Sequence, residues 1–370
     1  MNCKHTIFLP VLFCFIYCQS PMVRGINEDN PALVQSGLDN GTNPNVVIDG
    51  EPALHKALVR MAWNAARTLI DHGADLNAPD KMGNTPLMIS MGNRNLELTE
   101  YMMSRGADAK KKDTLSKTLL HYAAAVDRPD FISMLVKAGV DINAVDLFGY
   151  SPLHDACRFG ASRESVSMLL KHGANVSAPN KAGQVPLAYL IVDADRHERS
   201  IPGPLALWLL MDRRTRTGVA PEERRKRMVL IAQDILDAGA DPNARDNSGS
   251  TLLHLSVLNS FPAFSQELLR HGARVDVVDD KGNLPLHLSF YQAIKSSDLS
   301  IVSELIERTP DINQANSLGY TPLHFAAILD KPQVIRQLLS RGARRDIKNK
   351  DGKLALDLAR SDECKELLRL

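Results

Sequence analysis

Short apolar segments recur along the chain at a nearly constant spacing. Each contains a leucine at an equivalent position, and these leucines are Leu54, Leu87, Leu120, Leu153, Leu187, Leu253, Leu286, Leu323 and Leu356. Five of the steps between them are 33 residues long, and the others are 34, 66 and 37 residues. A period of this length predicts a stack of similar small units, each packed on its neighbours, rather than one globular core.

The sequence of each unit predicts a turn followed by two helices. Segments of the form Asp-x-x-Gly, such as "DKMG" and "DLFG", favour turns. The "TPL" that follows places Thr or Ser at a helix N-cap and Pro at the first helical position, where its missing N–H costs nothing. A second apolar segment has helical spacing, as in "FISMLVKAG", and stops at a glycine that predicts a helix C-cap.

Two motifs carry a resemblance to a known family. "GYTPLHFAA" from Gly319 and "HGADLNA" from His72 resemble the T-P-L-H and G-A-D-x-N motifs of the ankyrin repeat. The resemblance covers roughly residues 50–370. It implies an all-α repeat solenoid of about nine ankyrin repeats, each a β-turn plus two antiparallel helices. The segment 31–45 looks like a lone second helix followed by a turn, and it predicts an N-terminal cap helix within residues 26–49.

The long step between Leu187 and Leu253 contains only one further turn element, "AGADPNA". This favours a single fifth repeat with an insertion at about residues 196–228 over two separate repeats. Pro221 predicts the start of a long second helix. The insertion is the most basic part of the chain, with a candidate binding set of Arg213, Arg214, Arg216, Arg224 and Arg225. Two interpretations stay open: a solvated elaboration of the fold, or an arm that docks on an acidic partner or a membrane surface.

A histidine occupies the same position in most repeats. The residues are His55, His121, His154, His254, His287 and His324. Stacked helices lie about 8–10 Å apart, so these imidazoles are too widely spaced to share a metal ion, whose ligands sit about 2 Å away. We therefore predict a structural role, in which each histidine bonds the backbone of a neighbouring turn and links adjacent repeats.

The N-terminal residues predict an export signal. Lys4 supplies a positive start, and the apolar run from Thr6 to Cys18 is too short for a membrane span, which needs about 20 residues. We predict a signal peptide over residues 1–25, with lipidation of Cys18 as an open alternative. A glycan at the sequon of Asn175 would crowd a repeat turn, which favours a bacterial periplasm. The expected localisation is the periplasm or the secreted fraction.

Composition excludes some classes of function. The net charge is only +1, which argues against a nucleic-acid binder that relies on its overall charge. Outside the leader the cysteines are Cys157 and Cys364, and about five repeats separate them. At about 10 Å per repeat they are far beyond the Cα separation of about 7 Å that a disulfide tolerates. We expect them not to pair.

No sequence motif predicts catalysis. Phosphate-binding, dinucleotide-binding, zinc-hydrolase and serine-nucleophile signatures do not occur in the sequence. Asp193 and His197 share a helix face, but two potential ligands are weak evidence for a metal site. We expect a protein that is not an enzyme and that has neither a cofactor nor a metal.

The predicted binding surface is the concave face formed by the turn tips and the first helices. Its candidate residues are Met82, Phe148, Tyr150, Phe159, Leu318 and Tyr320. Aromatic residues make up only 5% of the chain, and exposed aromatics dominate interface hot spots. The alternative is that Phe148 or Tyr150 only packs on the adjacent hairpin.

These expectations combine into a functional hypothesis. We expect a monomeric protein of the bacterial envelope that binds another protein and no nucleic acid, as an inhibitor or immunity protein that sequesters a toxin or hydrolase. The alternatives are a periplasmic scaffold that supports an envelope enzyme under oxidative stress, and a secreted effector that acts on a host. Membrane contact is expected only through a lipid on Cys18 or through the basic insertion.

Overall fold

The computed structural model describes residues 20–81, 83–191, 220–296 and 299–369. Within them the chain forms two compact units. The first contains the described residues up to Ala123 together with Arg128–Leu147. The second contains Ala124–Asp127 and the described residues from Phe148 onward. Both are built from helical hairpins joined by turns, as the repeat pattern predicts.

The first unit begins with two helices and a short strand pair. Its elements are α1 (Pro21–Asn27), α2 (Pro31–Asp39), β1 (Val47–Ile48), β2 (Glu51–Pro52), α3 (Ala53–Val59), α4 (Trp63–Asp71), α5 (Pro86–Gly92), α6 (Leu96–Ser104), α7 (Leu119–Ala125) and α8 (Pro129–Lys137). Strands β1 and β2 are antiparallel, with Val47 opposite Pro52 and Ile48 opposite Glu51. The last residues of α7 belong to the second unit.

The second unit continues the alternation of first and second helices. Its elements are α9 (Pro152–Phe159), α10 (Arg163–Lys171), a 3-10 helix (Pro186–Leu190), α11 (Pro221–Asp237), α12 (Leu252–Leu258), α13 (Pro262–Arg270), α14 (Pro285–Ser296), α15 (Ser300–Arg308), α16 (Pro322–Leu329), α17 (Pro332–Ser340), α18 (Ala355–Leu358) and α19 (Asp362–Leu368). Within this unit each first helix packs on the first helix of the next repeat, and the second helices do likewise.

The predicted helix starts are confirmed. Thr85 and Ser151 are N-caps whose side chains accept a hydrogen bond from the backbone N–H three residues later. Pro86 and Pro152 follow at the first helical position. Eight of the nine periodic leucines are buried in the core: Leu54, Leu87, Leu120, Leu153, Leu187, Leu253, Leu286 and Leu323. Leu356, in the last repeat, is half-buried.

The N-terminal cap differs from the lone helix that the sequence predicted. Helix α2 is preceded by α1, and the two pack closely. A Cβ on Gly25 would lie 2.6 Å from the backbone N of Val34, so only glycine permits this approach. Met22 and Ile26 are buried in the same contact. Part of the predicted leader, Pro21–Gly25, is therefore built into the helical hairpin.

The fifth repeat keeps its place in the stack despite the insertion. The backbone N of Asn247 donates to the carbonyl of Ala182 at 3.0 Å, so the turns before and after the insertion are direct neighbours. A single repeat that contains an insertion requires this contact, because the turn at its start must then lie next to the turn that starts the following repeat. Its first helix is the 3-10 helix, and its second is α11, which starts at Pro221 as predicted and is 17 residues long. Residues 192–219, which include Asp193 and His197, lie outside the described residues.

Cys157 and Cys364 are free and buried in the second unit. The prediction that they do not pair with each other is confirmed. Burial raises the pKa of the Cys157 thiol far above its ordinary value, which keeps it protonated and unreactive. Among the described residues no helix is long and apolar enough to cross a membrane.

Candidate partner-binding surface

Four of the recurring histidines make the link between repeats that their spacing predicted. His154 Nδ1 accepts a hydrogen bond from the backbone N of Ser151 at 3.1 Å, which places the ring proton on Nε2. Nε2 then donates to the carbonyl of Gln184, in the next repeat, at 3.1 Å. Equivalent links between repeats join His55 to Asn84, His254 to Asn283 and His324 to Lys353.

Burial keeps several of these imidazoles neutral. It lowers the pKa of His254 and His324, and it lowers the pKa of His287 to about 4. A neutral ring whose two nitrogens are already hydrogen-bonded, as in His254, has no lone pair left for a metal or for proton transfer. In the described part of the chain no group of three or more His, Cys, Asp or Glu residues could hold a metal ion.

The turns are linked by backbone hydrogen bonds along the second unit. In each link the carbonyl of one turn tip accepts from an amide of the next tip, at 2.9–3.1 Å. The pairs are Phe148 with Lys181, Ala182 with Asn247, Ser248 with Asp280, Lys281 with Ser317, and Leu318 with Lys350. Because every tip is fixed to its neighbour, the side chains that project from the tips are held at defined positions.

Phe148 and Tyr150 form an aromatic pair on one turn. The Phe148 side chain is 50% exposed, and its ring centre lies 6.5 Å from that of Tyr150. Tyr150 is half-buried, and its ring meets that of the buried Tyr189 edge-on at 5.5 Å. Their hydroxyls are 3.0 Å apart. Tyr150 is thus fixed by the next repeat, as the packing alternative proposed, while Phe148 remains accessible.

Polar side chains fix the Tyr189 hydroxyl as well. Its hydroxyl accepts from Asn180 Nδ2 at 2.8 Å and donates to Gln184 Oε1 at 2.6 Å. Burial is the main reason that its pKa lies above the ordinary value. The network fixes Tyr150 before any partner arrives, which lowers the entropic cost of binding at this turn.

Phe159 is less accessible than its predicted role requires. It is the last residue of α9 and is only 9% exposed. The Arg158 guanidinium lies 5.2 Å from its ring centre and 5.1 Å from that of Tyr150. The guanidinium of the half-buried Arg158 therefore lies beside both rings.

A second exposed cluster surrounds the turn at Leu318. This leucine is 60% exposed, and Tyr320 is half-buried. The Tyr320 ring lies 5.5 Å from the buried Phe325 and 5.7 Å from His324. Leu318 is placed as predicted, at an accessible tip. Whether these residues bind a partner stays a prediction.

Sequence reasoning missed a set of accessible first-helix residues. Leu258 and Tyr291 are each 47% exposed, and they occupy the same position of α12 and α14, four residues after the repeat histidine. Ile328 holds this position in α16 and is partly exposed. Helical periodicity gave no signal for this exposure, because a residue four positions after the histidine is expected on the same side of the helix as the histidine.

The basic insertion is only partly described. Arg213, Arg214 and Arg216 lie outside the described residues, as does Met82. Arg225 donates to the carbonyl of Ser260 at 2.9 Å and stacks on the ring of Phe261, 5.1 Å from its centre. These contacts favour the interpretation that the insertion elaborates the fold, at least for Arg225.

Comparison with known proteins gives one family match. The family model described as ankyrin repeats, in three copies, matches residues 22–113, 93–180 and 290–370. Together these matches cover more than half of the chain.

Similar proteins align with this chain over a small part of their own length. The chain is 25% identical over 338 residues to the E3 ubiquitin-protein ligase KEG of Arabidopsis thaliana, which covers 84% of this chain and 20% of the relative. It is 33% identical over 199 residues to neurogenic locus notch homolog protein 1 of Xenopus tropicalis, covering 46% of this chain and 8% of the relative. The chain thus spans a fifth or less of these relatives' length.

Solved structures of repeat domains also align with the chain. The human ASB11 ankyrin repeat domain aligns with a TM-score of 0.49 and 24% identity, covering 68% of this chain and 96% of that domain. The ankyrin repeat domain of Bcl-3 aligns with a TM-score of 0.48 and 24% identity, covering 68% of this chain and 98% of that domain.

Proposed function

The chain belongs to the ankyrin-repeat family, whose members are in general non-enzymatic modules that bind other proteins, and from this premise we propose that it captures one protein of the bacterial envelope. We propose further that it acts there as an inhibitor or immunity protein that sequesters a toxin or hydrolase. Such a role needs a rigid binding surface and an export signal, and it needs no chemistry.

The observation that carries the proposal is the accessible Phe148 on a pre-formed turn. Phe148 lies beside Tyr150, whose hydroxyl is fixed by Tyr189. Large apolar side chains on rigid supports contribute more to affinity than mobile ones, because less side-chain entropy is lost on binding. Leu318 offers a second accessible anchor on a linked turn of the same unit.

The compartment is part of the proposal and rests on the leader sequence. The apolar run from Thr6 to Cys18 after Lys4 supports export. The buried, protonated thiol of Cys157 makes the described chain compatible with an oxidising environment. We propose the periplasm as the site of action, with the mature protein a monomer until it meets its partner.

Affinity capture from envelope extracts tests the proposal. We compare the intact protein with Phe148→Ala, Leu318→Ala and the control Leu230→Ala, a similarly exposed leucine on second helix α11. A partner retained by the intact protein and the control, and depleted about tenfold or more by the two turn variants, supports the proposal. Identical partners for all four proteins, with unchanged melting temperatures, would contradict it.

The effect of this chain on the activity of the captured partner distinguishes an inhibitor from a scaffold. An inhibitor or immunity protein lowers the turnover or toxicity of the captured protein in a stoichiometric manner. A scaffold leaves turnover unchanged and slows the inactivation of its partner by peroxide. The proposed inhibitory role fails if the captured protein keeps its full activity at saturating concentrations of this chain.

A further inference from the structure

His271 joins the second helices of the fifth and sixth repeats. It is the C-cap residue of α13, and its Nε2 lies 3.1 Å from Oδ1 of Asp237, the last residue of α11. Its Nδ1 lies 3.0 Å from the backbone carbonyl oxygen of Glu267, one turn earlier on α13. Both ring nitrogens therefore face acceptors, one on each of two adjacent helices. We call these contacts the His271 link.

The His271 link distinguishes between the two protonation states of the ring. A neutral imidazole carries one N–H, and its other nitrogen presents a lone pair. The carbonyl of Glu267 can only accept, so a neutral ring that donates to it from Nδ1 turns the lone pair of Nε2 toward the Asp237 carboxylate, which repels it. The imidazolium has two N–H groups and donates to both acceptors. Both hydrogen bonds therefore form only when His271 is charged.

The charges around the ring favour the same state. The Glu267 carboxylate is buried, and its Oε1 lies 3.4 Å from His271 Nδ1. Arg270 pairs with the same carboxylate, with Nη1 lying 2.8 Å from Oε2. Two carboxylates and one guanidinium thus surround the ring, so negative charge exceeds positive charge there. The hydrogen bond to the Glu267 carbonyl, together with that to Asp237, raises the pKa of His271 above its ordinary 6.5.

The other helices packed on α13 add no charge to the His271 link in the described part of the chain. These helices are α12 and α15. Helix α12 carries only His254, which is already bonded to the next turn. On α15, Arg308 pairs with Glu304 at 3.1 Å, and Glu307 bonds a side chain of α17. The ionisation of His271 therefore depends on the two carboxylates and the guanidinium that surround its ring.

The junction between the fifth and sixth repeats lacks the histidine bond that joins other repeats of this unit. His154 and His254 each bond a carbonyl of the next repeat, but Ala188 occupies the equivalent position of the fifth repeat. The first helix of that repeat is a 3-10 helix of 5 residues, shorter than the 8 residues of α9 and the 7 of α12. The His271 link therefore supplies, between second helices, a contact that the first helices lack here.

A second polar contact between these two repeats does not titrate near neutral pH. Arg225 donates to the carbonyl of Ser260 at 2.9 Å, and a guanidinium stays charged at every pH of interest. Arg225 lies near the start of α11, whereas Asp237 is its last residue. Loss of the His271 link therefore weakens the contact at the C-terminal end of α11 and leaves the other end in place.

We propose that His271 is a pH-responsive link between the fifth and sixth repeats. The charged ring bonds Glu267 of its own helix and Asp237 of α11. Loss of its proton breaks the bond to Asp237 and weakens the contact between α11 and α13. This device adds regulation by pH to the fold, and it is independent of the proposed partner because it acts in the free chain.

The direction of the effect follows from linkage between protonation and folding. Because the folded pKa of His271 lies above the ordinary 6.5, its stabilisation is complete below about pH 6.5 and is lost as the pH rises through the folded pKa. His287 has a lowered pKa, so its contribution changes on the acidic side of pH 6.5. A comparison of pH 6 with pH 8.5 therefore reports mainly on the His271 link.

An NMR titration of the full chain tests the protonation step. The ring signals of His271 are followed from about pH 5 to pH 9, a range that spans the ordinary pKa of histidine. In Asp237→Asn the inflection should move to lower pH, because a neutral amide does not stabilise the imidazolium. Asp276→Asn is the matched control, since Asp276 pairs with Arg274 at 3.0 Å, and it should leave the inflection in place. Equal inflections in the wild type and Asp237→Asn would overturn the inference.

Hydrogen–deuterium exchange of the free chain tests the consequence for the junction. After correction for the intrinsic exchange rate at each pH, the amides of α11 and α13 should exchange about two- to fivefold faster at pH 8.5 than at pH 6, the range expected for a partly exposed ion pair. His271→Gln and Asp237→Asn should abolish this difference, and Asp276→Asn should retain it. Equal protection of the wild type at both pH values, or an unchanged difference in His271→Gln, would overturn the inference.

Discussion

Asp330 caps the second helix of the following repeat through Ser361. Its Oδ1 accepts the backbone N–H of Ser361 at 3.0 Å and the Ser361 hydroxyl at 2.9 Å. Ser361 is itself the N-cap of α19. These hydrogen bonds to the ionised carboxylate lower the pKa of Asp330 to about 2. Because the folded pKa lies below the ordinary 3.8, the stabilisation is present above about pH 4 and is lost as the pH falls through 2.

The same relationship recurs elsewhere in each unit. Asp127 accepts from the backbone N of Ser162 at 2.9 Å, and Asp29 accepts from that of Ala65 at 2.9 Å. All three aspartates have positive φ, between 48° and 59°, which Asp tolerates better than most residues. Each is followed two positions later by a proline that starts a helix of its own repeat. The pattern Asp-x-Pro therefore marks a link between repeats.

Removing this cap should destabilise the end of the stack. We expect Asp330→Ala to lower the free energy of unfolding by about 1–2 kcal/mol at pH 7, from the lost cap and the strained backbone. Asp330→Asn should lose less, because asparagine keeps an acceptor oxygen and tolerates the positive φ. Urea denaturation at pH 7 measures both, and an Ala variant as stable as the wild type would show that the cap contributes nothing.

Acidification should destabilise the protein through His287. The folded pKa of His287 is about 4, below the ordinary 6.5, so the unfolded state binds more protons between these values. Stability should therefore be full above about pH 6.5 and should fall as the pH drops toward 4, by up to about 3 kcal/mol from this group.

The variant His287→Gln isolates this contribution. It lacks the titrating group, so its unfolding free energy should depend less on pH between 6.5 and 4 than that of the wild type. Denaturation midpoints at several pH values supply the comparison. Parallel curves for the two proteins would show that His287 is not coupled to unfolding.

A buried ion pair in the first unit allows a test of how charge pairing contributes to stability. Lys117 Nζ lies 3.0 Å from Asp146 Oδ2, and both side chains are buried. Lys117→Met leaves a buried carboxylate without its cation and should cost about 3–5 kcal/mol. Adding Asp146→Asn removes the charge and should restore part of the loss. The outcome that contradicts this account is a double variant less stable than Lys117→Met alone.

The packing of α1 also makes a prediction about export. Cleavage after Gly25 would remove Met22, whose side chain is buried against α2. For the proposed export, we therefore expect the N-terminus of the processed chain to lie before Pro21, as measured by mass spectrometry. A stable mature protein that begins at Ile26 would show that α1 is dispensable.

The sequence predicted features that repeat at every period. The leucine and histidine positions were identified because each faces the same environment in every repeat, so the pattern survives variation elsewhere. The turn at Phe148 was found because aromatic residues are unusual at exposed turns in a chain that contains so few of them. The long helix that starts at Pro221 followed from proline and acidic residues at a helix start.

Features that depend on tertiary contacts were not predicted. Helix α1 was missed because its seven residues continue an apolar, leader-like sequence, and only its packing on Val34 defines it. Phe159 was expected to be accessible because helical periodicity does not show how Arg158 covers it. Tyr291 was overlooked because an apolar residue in an amphipathic helix is ordinarily assigned to the core.

Hydrogen–deuterium exchange of the partner-bound protein tests the location of the binding surface most directly. We predict slower exchange in the complex for the turns at Phe148 and Leu318 and for first helices α12, α14 and α16, with second helices α10, α13 and α17 unchanged. Protection confined to the second helices, with the turns and first helices exchanging as in the free protein, would contradict the account.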